Sequence, residues 1–344
     1  MKPRVSWLSF AALRKTPSGW TSDVASARYR LTIPARALQD LECDSAVIDA
    51  SAATDYRGLL KRLGQTDVVI FGKLVAPPDR FVLQSPRILE FAHALQQAGV
   101  RVVADFSDDG FGEPIRGPYF RGLANVADAL VASTDGLAEI LREEARAPVS
   151  VVTDPVEGRR GEPRVPSSPP LRLLWYGHHT NLDTLPLGIP QLAAIASRIP
   201  LVITLITSEG AEARKRVSEL KTLPQTTCSF MPWTPLAVFD ALKESDAVFI
   251  PSAPDERRRA VKSPNRFTEA IWAGRFAVAH PLPAYRAFAD FGCVGDDLGV
   301  GLEWLLQNPA SALDRIRAGQ AYIEAELMPS SIAAKWKAAI LAAA

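Results

Sequence analysis

Short apolar runs of strand length alternate with helical segments along this chain, and the alternation breaks once, at 158–170. In the first half the apolar runs fall at 5–10, 45–49, 67–71, 100–105, 129–132 and 149–152. Between them, 88–98 has helical spacing, with Ile88, Phe91, Ala92 and Leu95 on one face and Gly99 closing it. A second helix is expected over 136–144. Strands that are apolar throughout, separated by helices, predict a parallel sheet covered on both faces. The break, GRRGEPRVPSSPP, holds four prolines and two glycines and has no apolar period, so it reads as a linker. The pattern then restarts. Strands are expected at 171–176, 201–207, 227–231, 247–251 and 276–279, and helices at 191–197, 212–220, 236–244 and 267–273. A last helix over 332–343 is started by Pro329, Ser330 and Ser331. Two such series predict an α/β chain of two Rossmann-like domains facing each other across a cleft, and 344 residues suit two domains.

The balance of charge narrows the partners. The formal net charge is +1, which provides no global field for nucleic acid. Cys43, Cys228 and Cys293 have no metal-ligand spacing, and an odd count fits no disulfide framework. They read as reduced packing residues. The apolar stretch after Arg4 is interrupted by Arg14 and Lys15, unlike an export signal. No run approaches the roughly 20 apolar residues that span a bilayer. A cytoplasmic protein is therefore expected. No G-x-G-x-x-G follows the first strand, which disfavours a dinucleotide dehydrogenase.

The sharpest local feature is KSPNRFTEAIWAG, residues 262–274. Ser263 is a good N-cap and Pro264 suits the first helical position. The helix start then presents backbone N–H groups and a positive dipole end to an anion. Lys262 stands just outside, within reach of the same phosphate. Glu269 follows on the face of Asn265, by i, i+4 spacing, where a carboxylate accepts from a ribose diol. An ordinary capped helix with surface charges satisfies the same residues.

The stretch KSPNRFTEAIWAGRFAVAHPLPAYRAF resembles the C-terminal signature of GT-B glycosyltransferases, in particular the family-4-like group (glycosyl transferases group 1). That signature is a helix entered as Lys-x-Pro-x-Arg/Lys-Leu-x-Glu-Ala, then a small residue and Gly, then a valine-rich strand. The resemblance implies that Glu269 binds the donor ribose. It also implies that the helix start at Ser263, Pro264 and Asn265, with Lys262 and Arg266, holds the donor diphosphate. The family often carries a second glutamate eight positions before the first, where this chain has Val261. The domain plan implied is an N-terminal acceptor domain over 1–157, a linker over 158–170, a donor domain over 171–325, and a helix over 326–344 packing back on the first domain.

Further candidates lie at strand ends. Gly177 lets backbone approach a ligand closely, and His178, His179 and Asn181 follow it as donors toward phosphate or sugar; a solvent-facing loop is the alternative. Adjacent histidines without a carboxylate pattern are weak metal ligands. Trp233 offers an indole face to a nucleobase, or to the core. Arg28 or Arg30 is a candidate for an anionic group, with a solvated helix end as the alternative. Asp105, Asp108 and Asp109 end the fourth strand of the first half. One of them, Asp108 or Asp109, is a candidate base if its like-charged neighbours raise its pKa, and a capped turn is the alternative. His178 joins these two in the candidate catalytic set. The run Arg257, Arg258 and Arg259 reads as a solvated face, a phosphate contact or an anionic-membrane contact. Trp336 between Lys335 and Lys337 is compatible with the last.

These readings lead to a hexosyltransferase that moves sugar from a nucleoside diphosphate sugar to a glycan, lipid-linked or small-molecule acceptor, as in polysaccharide biosynthesis. No organic cofactor and no metal are expected, the nucleotide sugar being substrate. A peripheral contact at the inner face of the membrane is left open. Two other readings use the same architecture: a non-catalytic protein that binds nucleotide or glycan, and a sugar-nucleotide epimerase.

Overall fold

The structure, a computed structural model, describes residues 3–53 and 56–343. The chain divides into two compact units. One comprises the described residues of Met1–Pro155, Val261–Ser263 and Glu326–Ala344, the other Val156–Ala260 and Pro264–Ala325.

The first unit is built on β1 (Arg4–Phe10), β4 (Asp44–Asp49), β5 (Val68–Leu74), β6 (Arg101–Phe106), β7 (Ala129–Ala132) and β8 (Val149–Val151), with β2 (Arg14–Thr16) and β3 (Gly19–Thr21) forming a separate hairpin. The sheet order is β4-β1-β5-β6-β7-β8, and every neighbouring pair is parallel. The chain moves from β1 to one side, then crosses back to β5 on the other. That reversal opens a crevice at the carboxyl ends, where open α/β sheets take ligands.

The helix expected over 88–98 begins at Pro78 and ends at Gln97. Pro78 suits the first turn. Pro86 lies inside this helix on its exposed side, where the carbonyl that a proline leaves unbonded is open to solvent. Gly117–Val126 is also helical, entered through Gly117 and Pro118.

The last helix, Pro329–Ala343, belongs to this first unit. Its Trp336 is 0 % exposed and packs edge-on against Trp7, with ring centroids 4.8 Å apart. This corrects the reading of Trp336 as a membrane anchor: the indole fills the core, while Lys335 bonds Glu326 nearby.

The second unit carries β9 (Leu171–Tyr176), β10 (Leu201–Thr207), β11 (Thr226–Pro232), β12 (Ala247–Ile250), β13 (Phe276–Ala279) and β14 (Cys293–Val294). Its order is β11-β10-β9-β12-β13-β14, again wholly parallel, so the switch point lies between β9 and β12. The helix Asn265–Trp272 follows β12 and is closed by Gly274, whose φ of 75° lies in the left-handed region that favours glycine.

The proline-rich segment 158–170 forms no regular element, yet it is tied down. The Gly161 N–H donates to Trp272 O and the Arg164 N–H to Gly274 O, both at 2.9 Å. Two helices, Leu298–Gln307 and Pro309–Glu326, occupy a stretch for which no element was expected. Among the described residues no helix is long and apolar enough to cross a membrane.

Candidate functional site

At the β9–β12 switch point of the second unit, four of the expected residues come together. β9 ends at Tyr176, and Gly177 leaves the sheet after its N–H donates to Ile206 O at 3.1 Å. A Cβ at position 177 would lie 3.3 Å from Asn181 Nδ2 and 3.8 Å from Arg266 Nη1, so the absent side chain leaves space between those two groups. The Tyr176 hydroxyl donates to Glu269 Oε2 at 2.8 Å and lies 3.2 Å from Arg266 O. Glu269 is 8 % exposed, so this bond holds a largely desolvated carboxylate.

The segment after Gly177 is not the open loop of the sequence reading. It is a 3₁₀ helix, His179–Leu187, capped by His178, whose Nδ1 accepts from the Thr180 N–H. His178 and His179 are exposed, with ring centroids 4.0 Å apart. Thr184 anchors the segment to the end of β12, donating within 3.0 Å of Pro251 O. Trp233 is half-buried just past β11, its N–H donating to Thr207 O at 2.9 Å. β11 lies two strands from β9, which is roughly 10 Å at the usual spacing.

The helix start differs from expectation by one position. Pro264, not Ser263, is the N-cap, Asn265 opens the helix, and no side chain caps it. The Pro264 carbonyl accepts from the Phe267 and Thr268 N–H groups, leaving the Ser263 hydroxyl outside the helix. Arg266 Nη1 is buried and has no hydrogen-bond partner among the described residues. The same holds for Trp175 Nε1 and Thr207 Oγ1. β9 and β10 pair Trp175 with Leu205, so Trp175 and Thr207 lie on one face of the sheet. Buried donors without acceptors are uncommon, and three at one sheet edge mark a place built for something polar.

The first-unit candidates fare differently. Arg30 is 1 % exposed. Its Nη2 lies 2.6 Å from Asp105 Oδ1, its Nη1 3.0 Å from Asp154 Oδ1, and its guanidinium covers the Trp336 ring at 5.2 Å. Burial alone would lower its pKa, but the two carboxylates outweigh burial and hold it charged. Arg30 is thus a structural ion-pair centre and no longer a phosphate candidate. Arg28 is buried too, and its Nη1 donates to Ser22 O at 2.9 Å.

Asp108 bonds two ammonium groups, Lys73 and Lys262. Burial would raise its pKa, yet the two lysines outweigh burial and hold the carboxyl well below the usual carboxylate range. The expectation that neighbours would raise it toward neutrality is reversed, which disqualifies Asp108 as a proton acceptor near pH 7. Asp109 is buried, and its Oδ1 accepts from the Phe111 N–H at 3.0 Å. Lys262 groups with the first unit, next to Val261, a core residue whose carbonyl accepts from Thr134 Oγ1 at 2.9 Å. Arg259, from the basic run, is engaged by Asp183 and Glu256 at 2.5 and 2.6 Å, which removes it from a freely solvated face.

Sequence reasoning missed Tyr176, Lys73 and His280. His280 is buried directly after β13, with Nδ1 2.7 Å from Ser252 O. Each sits at or beside the carboxyl end of a parallel strand, and that position is the signal that marks them. Among the described residues no grouping of three or more His, Cys, Asp or Glu is placed to hold a metal ion.

No protein-family model matches the chain, and no curated protein matches it by sequence. Solved structures match it by shape. HepE from Anabaena, solved with UDP, superposes with a TM-score of 0.69 over 98% of this chain and 100% of its own, at 10% identity. The lipopolysaccharide outer core galactosyltransferase WaaB, in its apo form, gives 0.68 over 98% and 99%, at 11% identity. A glycosyltransferase from Rickettsia africae gives 0.62 over 98% and 99%, at 11% identity. The fold is the GT-B fold of glycosyltransferases, with two Rossmann-like domains, as the 262–288 signature implies.

Proposed function

We infer that this protein is a glycosyltransferase whose second unit binds a nucleoside diphosphate sugar. The observation that carries the reading is the convergence of Gly177, Asn181, Arg266 and the Tyr176–Glu269 pair at the β9–β12 switch point. Glu269, aimed by Tyr176, is suited to accept from a ribose diol. The uncapped start of Asn265–Trp272 and the unpartnered Arg266 Nη1 are suited to diphosphate oxygens. As the sugar–phosphate bond breaks, negative charge grows on the departing diphosphate. Fixed positive groups at that point lower the barrier because they need no reorganisation. In this reading Asn181 and His178 contact the sugar or its phosphates, and Trp233 stacks on the base. Lys262 serves the diphosphate in this reading by giving up its bond to Asp108. Metal and organic cofactors have no part in the reading.

UDP is the first nucleotide to test, since HepE was solved with it and so was TarM of S. aureus. The test is a thermal-shift panel of nucleotides and sugar nucleotides on the wild type and on Glu269→Ala. A nucleotide should raise the wild-type Tm and do so much less in the variant. No shift in the wild type, or an equal shift in both, overturns the donor-site assignment. Product analysis with a responding sugar nucleotide then separates transfer from epimerisation or from binding without turnover.

A further inference from the structure

Lys262 belongs to the short segment Val261–Ser263, which groups with the first unit; the chain enters the second unit at Pro264 and opens the helix at Asn265. The backbone of this segment is pinned. Val261 is buried, and its carbonyl accepts from Thr134 Oγ1 at 2.9 Å. The Lys262 side chain is freer, at 41 % exposed, and its ammonium bonds Asp108 Oδ1. The other oxygen of that carboxylate, Oδ2, accepts from Lys73. Each oxygen of Asp108 therefore holds a different lysine. The start of the helix Asn265–Trp272 is close along the chain, because three residues span at most about 11 Å. A lysine carries its charge on a flexible four-carbon stem, so the ammonium can change partner while the backbone stays in place. A carboxylate and a phosphate offer the same kind of partner, a charged acceptor oxygen, and one can replace the other on a lysine.

We propose that Asp108 is an inhibitory clamp on Lys262, holding its ammonium away from the helix start until the diphosphate of a nucleotide displaces the carboxylate. The proposal rests on the donor-site reading above and adds a control to it. Lys73 makes the exchange feasible. When Lys262 leaves, Asp108 keeps Lys73, so the largely buried carboxylate is not left without a cation. Without Lys73 the carboxylate would depend on Lys262 alone and would release it at greater cost. The two lysines keep Asp108 ionised near neutrality, so the trigger is a competing anion and not a change of pH there. The clamp thus favours ligands that carry phosphate, because a nucleoside without one has nothing to offer Lys262 in return.

The test is isothermal titration of the full chain with UDP and with uridine. The proteins are the wild type, Asp108→Asn, Lys262→Ala, Lys73→Met and the double variants that join Asp108→Asn to each lysine change. Asp108→Ser is read alongside, so that the outcome does not depend on one folded variant. Asp108→Asn should tighten UDP about fivefold, the upper end for a partly exposed ion pair, and leave uridine unchanged. It should give no gain on the Lys262→Ala background. Lys73→Met should weaken UDP in the wild type and have no effect once Asp108→Asn is present. If the wild type binds UDP and both Asp108 variants bind it equally or less well, the clamp is overturned and the donor reading stands. A gain that persists without Lys262 reports only the removal of a negative charge and also overturns the clamp. If the folded wild type and variants bind no nucleotide, the donor reading falls and the clamp falls with it.

Discussion

Tyr176→Phe isolates one hydrogen bond at the proposed donor site. The substitution keeps the ring and removes the hydroxyl that donates to Glu269 Oε2 at 2.8 Å. A hydrogen bond to a charged group contributes about 1.5–3 kcal/mol, and the low exposure of Glu269 favours the middle of that range. A loss of about 2 kcal/mol should lower the Tm of a unit this size by roughly 4–8 °C. The same bond fixes the carboxylate that the ribose would meet. UDP affinity should therefore fall about tenfold, which is about 1.4 kcal/mol. The assay is differential scanning fluorimetry without ligand, then isothermal titration with UDP, on the wild type, Tyr176→Phe, Glu269→Gln and the double variant. If Tyr176 acts through Glu269, the double variant should bind UDP no worse than Glu269→Gln alone. Additive losses, or a Tyr176→Phe variant that matches the wild type in both Tm and affinity, would refute the positioning argument.

Two further expectations concern the first unit. The Asp108 carboxyl is held low in the folded state by Lys73 and Lys262, so the pair stabilises fully above the unfolded carboxylate value, about 3.9, and is lost as pH falls toward the folded value. Asp108→Asn should accordingly show a shallower loss of stability than the wild type below about pH 4; parallel urea-midpoint curves across that range would contradict this. Trp336→Ala should cost about 3–5 kcal/mol, because a fully buried indole packed on Trp7 leaves a cavity when removed; a urea midpoint within error of the wild type would show that the last helix is not anchored there.

The second-unit part of the candidate site was legible because its cues are local. A proline at a helix start, a glycine at a helix end and the Glu-Ala run are read from neighbouring residues, and Gly177 closes an apolar strand. The errors came where long-range contacts decide. Arg30 reads as an exposed cation until Asp105 and Asp154, 75 and 124 positions away, are folded around it. Asp108 has like-charged neighbours in sequence, Asp105 and Asp109, but its partners in space are Lys73 and Lys262, 35 and 154 positions away. The direction of its pKa therefore reversed.

The sequence by itself determined the alternation of buried strands and helices, its break and restart, and the helix start after Lys262. Those follow from the period of apolar residues and from proline and glycine stereochemistry, which act over a few residues. The tertiary structure decided where each charge found its partner. It also decided what certain glycines are for. Gly301 and Gly319 weaken the local case for two helices. A Cβ at Gly301 would come within 2.7 Å of Val278 Cγ1, and one at Gly319 within 2.6 Å of Ile271 Cγ2. Both helices form because a missing side chain lets them pack against neighbours distant in sequence, which a local propensity cannot register.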